Sequence, residues 1–140
     1  MAAPRMSFIN LPVESLPRTV RFYEALGFAF NPHFTDETAT CMVINDTTCA
    51  MMLTHAKFDS FCARPRPDAK ATTGGLYALL LESKADVDAM MRKAIAAGGS
   101  EYRPASDLGF MYGRAFADPD GHVWEPFWMD ITQAPATPQG

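Results

Sequence analysis

Basic residues are scarce in this chain. Lysine and arginine number 12 against 16 aspartates and glutamates, a net charge of −4 over 140 residues. A general nucleic-acid binder needs a basic stripe, so nucleic acid is not an expected partner. Long apolar runs are missing too. None approaches the roughly 20 residues of a membrane helix, so no membrane partner is expected. Met1–Arg5 carries no apolar segment behind its charge, which excludes a secretory signal and leaves a frayed end, residues 1–5. Cysteine is limited to Cys41, Cys49 and Cys62. An odd count at spacings that fit no zinc motif predicts reduced thiols and a cytoplasmic protein. Cys41 and Cys49 lie in apolar runs and are expected to pack, while Cys62 lies in a loop. There is also no phosphate-cradling glycine loop and no nucleophile–base pair at a recognisable spacing.

What is present is enough for one domain. Hydrophobic residues make up 48% of the chain and charged residues 20%. At this length roughly 68–70% of the unfolded surface can be buried. Residues 6–13 read as a strand. A helix follows, capped by Ser15 with Pro17 in its first turn. Leu16, Val20, Tyr23 and Leu26 form its apolar stripe, and Gly27 ends it. Strands are expected at 28–34, 39–45 and 48–54, separated by polar breaks. Residues 55–75 read as a linker, with a short helical turn around 57–62. Then the pattern returns. A strand at 76–82 leads into Ser83 and Asp86, which resemble a capping box. Val87, Met90, Met91, Ala94 and Ile95 form a second helical stripe, closed by Gly98 and Gly99. Strands at 101–103, 109–117 and 122–129 complete the second half. Residues 131–140, rich in Pro and Ala, are expected to be a disordered tail.

The expected fold class is therefore α+β: two βαβββ repeats at about 6–54 and 76–129 within a domain spanning 6–130. They form curved mixed sheets around a cleft, with the helices on the outer faces. A shift of 71 residues lays Gly27 on Gly98 and Ser15 on Asp86.

Three local signatures accompany that order. Residues 18–28, RTVRFYEALGF, form the end of the first helix. Asp86-Val87-Asp88 opens the second helix. Asp118-Pro119-Asp120-Gly121-His122-Val123-Trp124-Glu125 makes the last turn and enters the last strand. Together they resemble the vicinal-oxygen-chelate superfamily of glyoxalases, extradiol dioxygenases, fosfomycin-resistance enzymes and bleomycin-binding proteins. The likeness is greatest to the small predicted lactoylglutathione lyases.

The resemblance implies a divalent metal held by matching positions in the two halves, where it would polarise neighbouring substrate oxygens. Those positions hold Phe8, Met52, Leu79 and Glu125. Glu125 alone is a hard-metal ligand, since Phe and Leu cannot bind and a lone Met favours soft metals. A catalytic site usually keeps three protein ligands. No cofactor is therefore expected. Any metal would need Glu125 with an unusual partner such as His55, which otherwise reads as a surface loop residue.

Strand alternation then lines the cleft with Phe8, Asn10, Met52, Tyr77, Leu79, Glu125 and Phe127, mostly apolar with a few converging polar groups. Met52 and Met111 are adaptable pocket residues. Arg114 faces Glu125 if the loop before the last strand has four residues. Ala115 faces it if the loop has three with Gly121 in a left-handed position, and glycine there favours the second register.

Three functions are consistent with these residues. The first is a protein that binds a small apolar or aromatic ligand, oriented by Asn10, Tyr77 and Glu125, with the usual metal site largely lost. The second is a lyase or isomerase of a carbonyl compound, with Glu125 as base or metal ligand. The third is a dimeric protein with a vestigial cleft. The resemblance also implies a homodimer.

Overall fold

The structure, a computed structural model, describes residues 2–133. Met1 and the tail from 134 onward lie outside the described residues, and 131–133 form a turn. The chain divides into two compact units that meet in sequence between Asp68 and Ala69. Each is a four-stranded mixed sheet, and the fold is α+β with two βαβββ modules. No helix among the described residues is long and apolar enough to cross a membrane.

The first unit contains β1 (Ser7–Val13), α1 (Leu16–Ala25), β2 (Ala29–Asn31), β3 (Ala39–Asn45), β4 (Thr48–Thr54) and α2 (His55–Ser60). Its strand order is β1-β4-β3-β2, with β1 and β4 parallel and the others antiparallel. Ser15 caps α1 by accepting from the Arg18 amide at 3.3 Å, as its position before Pro17 predicts. Gly27, at φ 101°, supplies the left-handed residue that stops it. Phe22 and Tyr23 meet edge to face at 4.9 Å and are buried with Leu11, Val13 and Met42. Burying each such side chain contributes about 1.5–3 kcal/mol. The second strand is shorter than its apolar run suggests. Pro32 cannot donate to a ladder, and Pro32–Phe34 turns as a 310 segment instead.

The stretch after β4, expected as a linker, begins with a helix. Thr54 caps α2 by accepting from the Lys57 amide at 3.2 Å, so His55 is the first residue of a helix and not a loop residue. Arg66 then grips both carboxylate oxygens of Asp59, at 3.0 and 3.3 Å, and ties the following segment back to α2.

The second unit contains β5 (Leu76–Leu80), α3 (Lys84–Ala96), β6 (Ser100–Asp107), β7 (Met111–Ala117) and β8 (Val123–Met129), in the order β5-β8-β7-β6. The β6 strand runs far beyond the expected 101–103. Seven of its eight residues are exposed and Pro104 sits inside it. An edge strand of that kind shows no apolar alternation. The turn before β8 is closed by Asp118, whose carboxylate accepts from the amides of Asp120 and His122 at 2.9 Å each. Gly121 is left-handed at φ 99°, and a Cβ there would come within 2.5 Å of the Ala69 carbonyl oxygen. The Asp118 amide donates to the His122 carbonyl at 2.9 Å. The three-residue loop is therefore the one that forms, and the register places Ala115 across from Glu125.

The repeat offset needs correction. The residue that caps α3 is Ser83, which accepts from the Asp86 amide at 3.0 Å, so Ser15 corresponds to Ser83 and not to Asp86. The offset at the strand and cap is 68, and becomes 71 at Gly98 because α3 has 13 residues where α1 has 10. Replacing Ser83 with Ala is expected to cost about 1 kcal/mol of second-unit stability. Asp86→Ala, which removes only a first-turn charge, is expected to cost about 0.3–1 kcal/mol. Urea unfolding of the two variants measures the difference.

Candidate ligand-binding site

Paired residues on neighbouring strands point to the same sheet face, so register decides what each face carries. In the second unit Ala78 pairs with Glu125, Leu76 with Val123 and Leu80 with Phe127. Gly113 pairs with Phe127, Arg103 with Ala115 and Ser106 with Gly113. These residues share one face. The opposite face carries Tyr77, Leu79, Trp124, Pro126, Trp128, Tyr112, Arg114 and Phe116, and is the one against α3.

Two expectations fail here for one reason. Tyr77 and Leu79 pair with Trp124 and Pro126, opposite Glu125. The ring of Tyr77 lies 5.2 Å from that of Trp124, and burial raises its hydroxyl pKa, with the negative charge of Asp118 adding to the effect. The offset of 71 set the face of β5 one residue out of step; the offset of 68 brings Leu76 to the position of Phe8. In the first unit Phe8 and Asn10 do share a face, both exposed, but with Cys49 and Met51. Met52 pairs with Leu11 on the other face and is completely buried. Adjacent methionines point opposite ways, and the residue corresponding to Glu125 is Met51. By register, Phe8 and Met51 in the first unit correspond to Leu76 and Glu125 in the second. The same first-unit face holds Cys41 and Cys49, both buried, and burial first, then Cys49, pushes the Cys41 thiol up to about 11. Both cysteines are packing residues, whereas Cys62 is exposed.

Around Glu125 the second sheet forms a groove of about 260 Å³. Its floor is β7, where Gly113 and Ala115 leave little side chain between β8 and β6. Arg103 reaches over that low strand, and its Nη1 lies 2.6 Å from Oε2 of Glu125. The Glu125 side chain keeps 19% of its exposure and that of Arg103 39%. The pair is sheltered but open to solvent, where removing one partner leaves the other poorly solvated. Ser106, across from Gly113 at the level of Phe127, also lines the groove, while Leu108, Met111 and Phe127 supply the apolar remainder. Met111 and Phe127 were legible as lining residues; Arg103, Ser106 and Leu108 were not. Arginine on an irregular, exposed edge strand has no periodic signal. The combination that could have found it is Gly113 and Ala115 on the face of Glu125. Among the described residues, no three His, Cys, Asp or Glu side chains cluster as a metal-binding group.

The opposite face holds a separate charge network. Arg114 donates to Asp88 at 3.0 Å and to Glu101 at 2.7 Å, and the Tyr112 hydroxyl donates to Asp88 at 2.7 Å. Lys84 lies over the rings of Tyr112 and Trp128, at 5.9 and 5.5 Å, and pairs with Asp107 at 3.6 Å. These contacts dock α3 on the sheet. The Tyr112 hydroxyl, and after it Arg114, hold the Asp88 carboxyl below the usual aspartate range. The sign follows: the folded state favours the charged form. Its contribution is complete above about pH 4, where an unperturbed aspartate is ionised, and is lost as pH falls through the lowered folded value. Thermal melts of wild type and Asp88→Asn between about pH 7 and pH 3 should therefore converge in acid. A difference that persists unchanged at the acid end would remove Asp88 from this role.

Residues 5–125 match the family described as the Glyoxalase/Bleomycin resistance protein/Dioxygenase superfamily, and the chain belongs to it. Similar solved structures include a hypothetical protein from S. aureus, with 22% identity, a TM-score of 0.78 and coverage of 91% of this chain and 95% of that one. A glyoxalase-related enzyme from Fulvimarina pelagi has 24% identity and a TM-score of 0.75, covering 99% of this chain and 94% of that one. The fosfomycin resistance protein FosX from Mesorhizobium loti has 17% identity and a TM-score of 0.66, covering 91% of this chain and 94% of that one. At these identities the likeness is one of fold. No curated protein matches the chain.

Proposed function

We propose that this chain binds a small, largely apolar or aromatic ligand in the groove of its second unit, without the divalent metal of the superfamily's enzymes. The observation that carries the reading is the Arg103–Glu125 pair at 2.6 Å. Glu125 is the single hard donor among Phe8, Met51, Leu76 and Glu125, and a guanidinium already holds it. A divalent cation would have to displace Arg103 and then manage with one carboxylate, against the three protein ligands of usual catalytic sites. The donor set does not fit the metal. The groove has the composition of a small-molecule site: Leu108, Met111 and Phe127 provide contact area, with Ser106 and the Arg103–Glu125 pair as its few polar groups.

A second reading keeps a specific observation in its favour, a carboxylate inside a groove. There the protein is a lyase or isomerase of a carbonyl compound, close to the predicted lactoylglutathione lyases, and Glu125 is the base. Arg103 would first have to release the carboxylate.

Calorimetric titration with Ni(II), Co(II), Mn(II) and Zn(II) separates the two readings. The wild-type protein is expected to bind none stoichiometrically. Tight binding at one ion per chain, abolished by Glu125→Gln, would sink the metal-free reading and restore metal-dependent chemistry. The reading retains the expected partners, a small molecule and a second copy of the chain, and excludes nucleic acid. Light scattering is expected to give the mass of two chains, and a single-chain mass would reject the dimer.

A further inference from the structure

The polar end of the groove is an ion pair, and an ion pair selects differently from a lone charge. We infer that the ligand's polar group is uncharged and carries a hydrogen-bond donor beside an acceptor, as in a primary amide, with an apolar or aromatic body attached. This rests on the reading that the groove is a ligand site.

Arg103 and Glu125 approach most closely at Nη1 and Oε2, and the guanidinium carries five N–H donors and the carboxylate two acceptor oxygens, more than that one contact uses. Side by side they present a donor edge next to an acceptor edge. Ser106, farther along the groove across from Gly113, can supply either to the ligand's body. A carboxylate in the ligand would meet Arg103 favourably but bring a like charge to Glu125. An ammonium would meet Glu125 but repel Arg103. At a few ångströms in a sheltered groove, like-charge contact cancels the gain. A primary amide avoids both penalties, with its NH2 toward Glu125 and its carbonyl toward Arg103. Its body then lies on the side of Leu108, Met111 and Phe127, where Gly113 leaves the floor open. A Cβ at Gly113 would already touch the Cβ of Phe127 at 3.7 Å, so a larger side chain there fills the groove.

The test uses three probes with the same aromatic body: phenylacetamide, phenylacetate and 2-phenylethylamine. Each is titrated into the full-length protein near neutral pH by calorimetry or ligand-observed NMR. The wild-type protein should bind the amide about tenfold more tightly than either charged probe, the size of one mismatched polar contact. Glu125→Gln should shift the preference toward phenylacetate and Arg103→Gln toward 2-phenylethylamine. A charged probe that equals or beats the amide on the wild type overturns the inference while leaving the groove a ligand site. So do folded variants that keep the wild-type ranking. The wild-type ranking decides by itself if either variant fails to fold. If no probe binds, or if binding survives Gly113→Leu, the groove is not the site and the reading beneath the inference falls with it.

Discussion

The parallel pairing of β5 with β8 fixes the chemistry of the second unit, because a strand has only two faces and a shift of one residue exchanges them. With Ala78 opposite Glu125, the carboxylate faces away from α3, toward Ala115 and Arg103. One step in either direction would turn it onto the face that holds Trp124, Pro126 and Phe116, where the helix docks. The register is fixed where the strand begins. The Asp118 carboxylate holds the amides of Asp120 and His122, which sets where β8 begins. The left-handed Gly121 lets the Ala69 backbone pass directly over the turn. Buried Trp124 then keeps β8 from slipping, since a one-residue shift would exchange its face with that of Glu125.

Given that register, the size of the residues on β7 determines what Glu125 can meet. Neighbouring strands lie about 4.8 Å apart, so β6 and β8 are separated by nearly 10 Å across β7. A bulky residue at 113 or 115 would stand between them. Glycine and alanine do not, and arginine is long enough to span the gap with its charged, planar head. The β6 bulges around Arg103 belong to the same arrangement, since they re-aim a side chain without breaking the antiparallel pairing. The exposed irregularity of β6 and the chemistry at Glu125 therefore have one cause.

The sequence showed most of the fold because its signals are local. Ser15, Pro17 and Gly27 bound one helix, the Gly98–Gly99 pair ends the other, and Asp118–Gly121 marks the last turn. Gly121 also chose correctly between two registers. What it did not show was placement that depends on strand pairing. Ser83 and Asp86 both look like the start of a helix, and choosing the second moved β5 by three residues, an odd number, which reversed its faces and put Tyr77 and Leu79 where Leu76 and Ala78 stand. Met51 and Met52 differ in nothing but pairing partner, and Leu11 takes Met52 to the buried face. Arg103 was invisible because its partner is 22 residues away in sequence on a strand that is not its neighbour.

The two units also show how one scaffold carries different chemistry at matching positions. Phe8 and Met51 in the first correspond to Leu76 and Glu125 in the second, so the first unit presents an apolar pair where the second presents a carboxylate beside a leucine. Glu125 takes its cation partner from its own unit, Arg103. An uncompensated carboxylate in that groove would cost stability, on the order of 1–3 kcal/mol for a poorly satisfied charged group. Pairing it with a guanidinium removes that cost and keeps a polar end on an otherwise apolar groove. The carboxylate at 125 and the arginine that reaches it across a low strand thus answer one physical requirement, that a sheltered charge be neutralised by something.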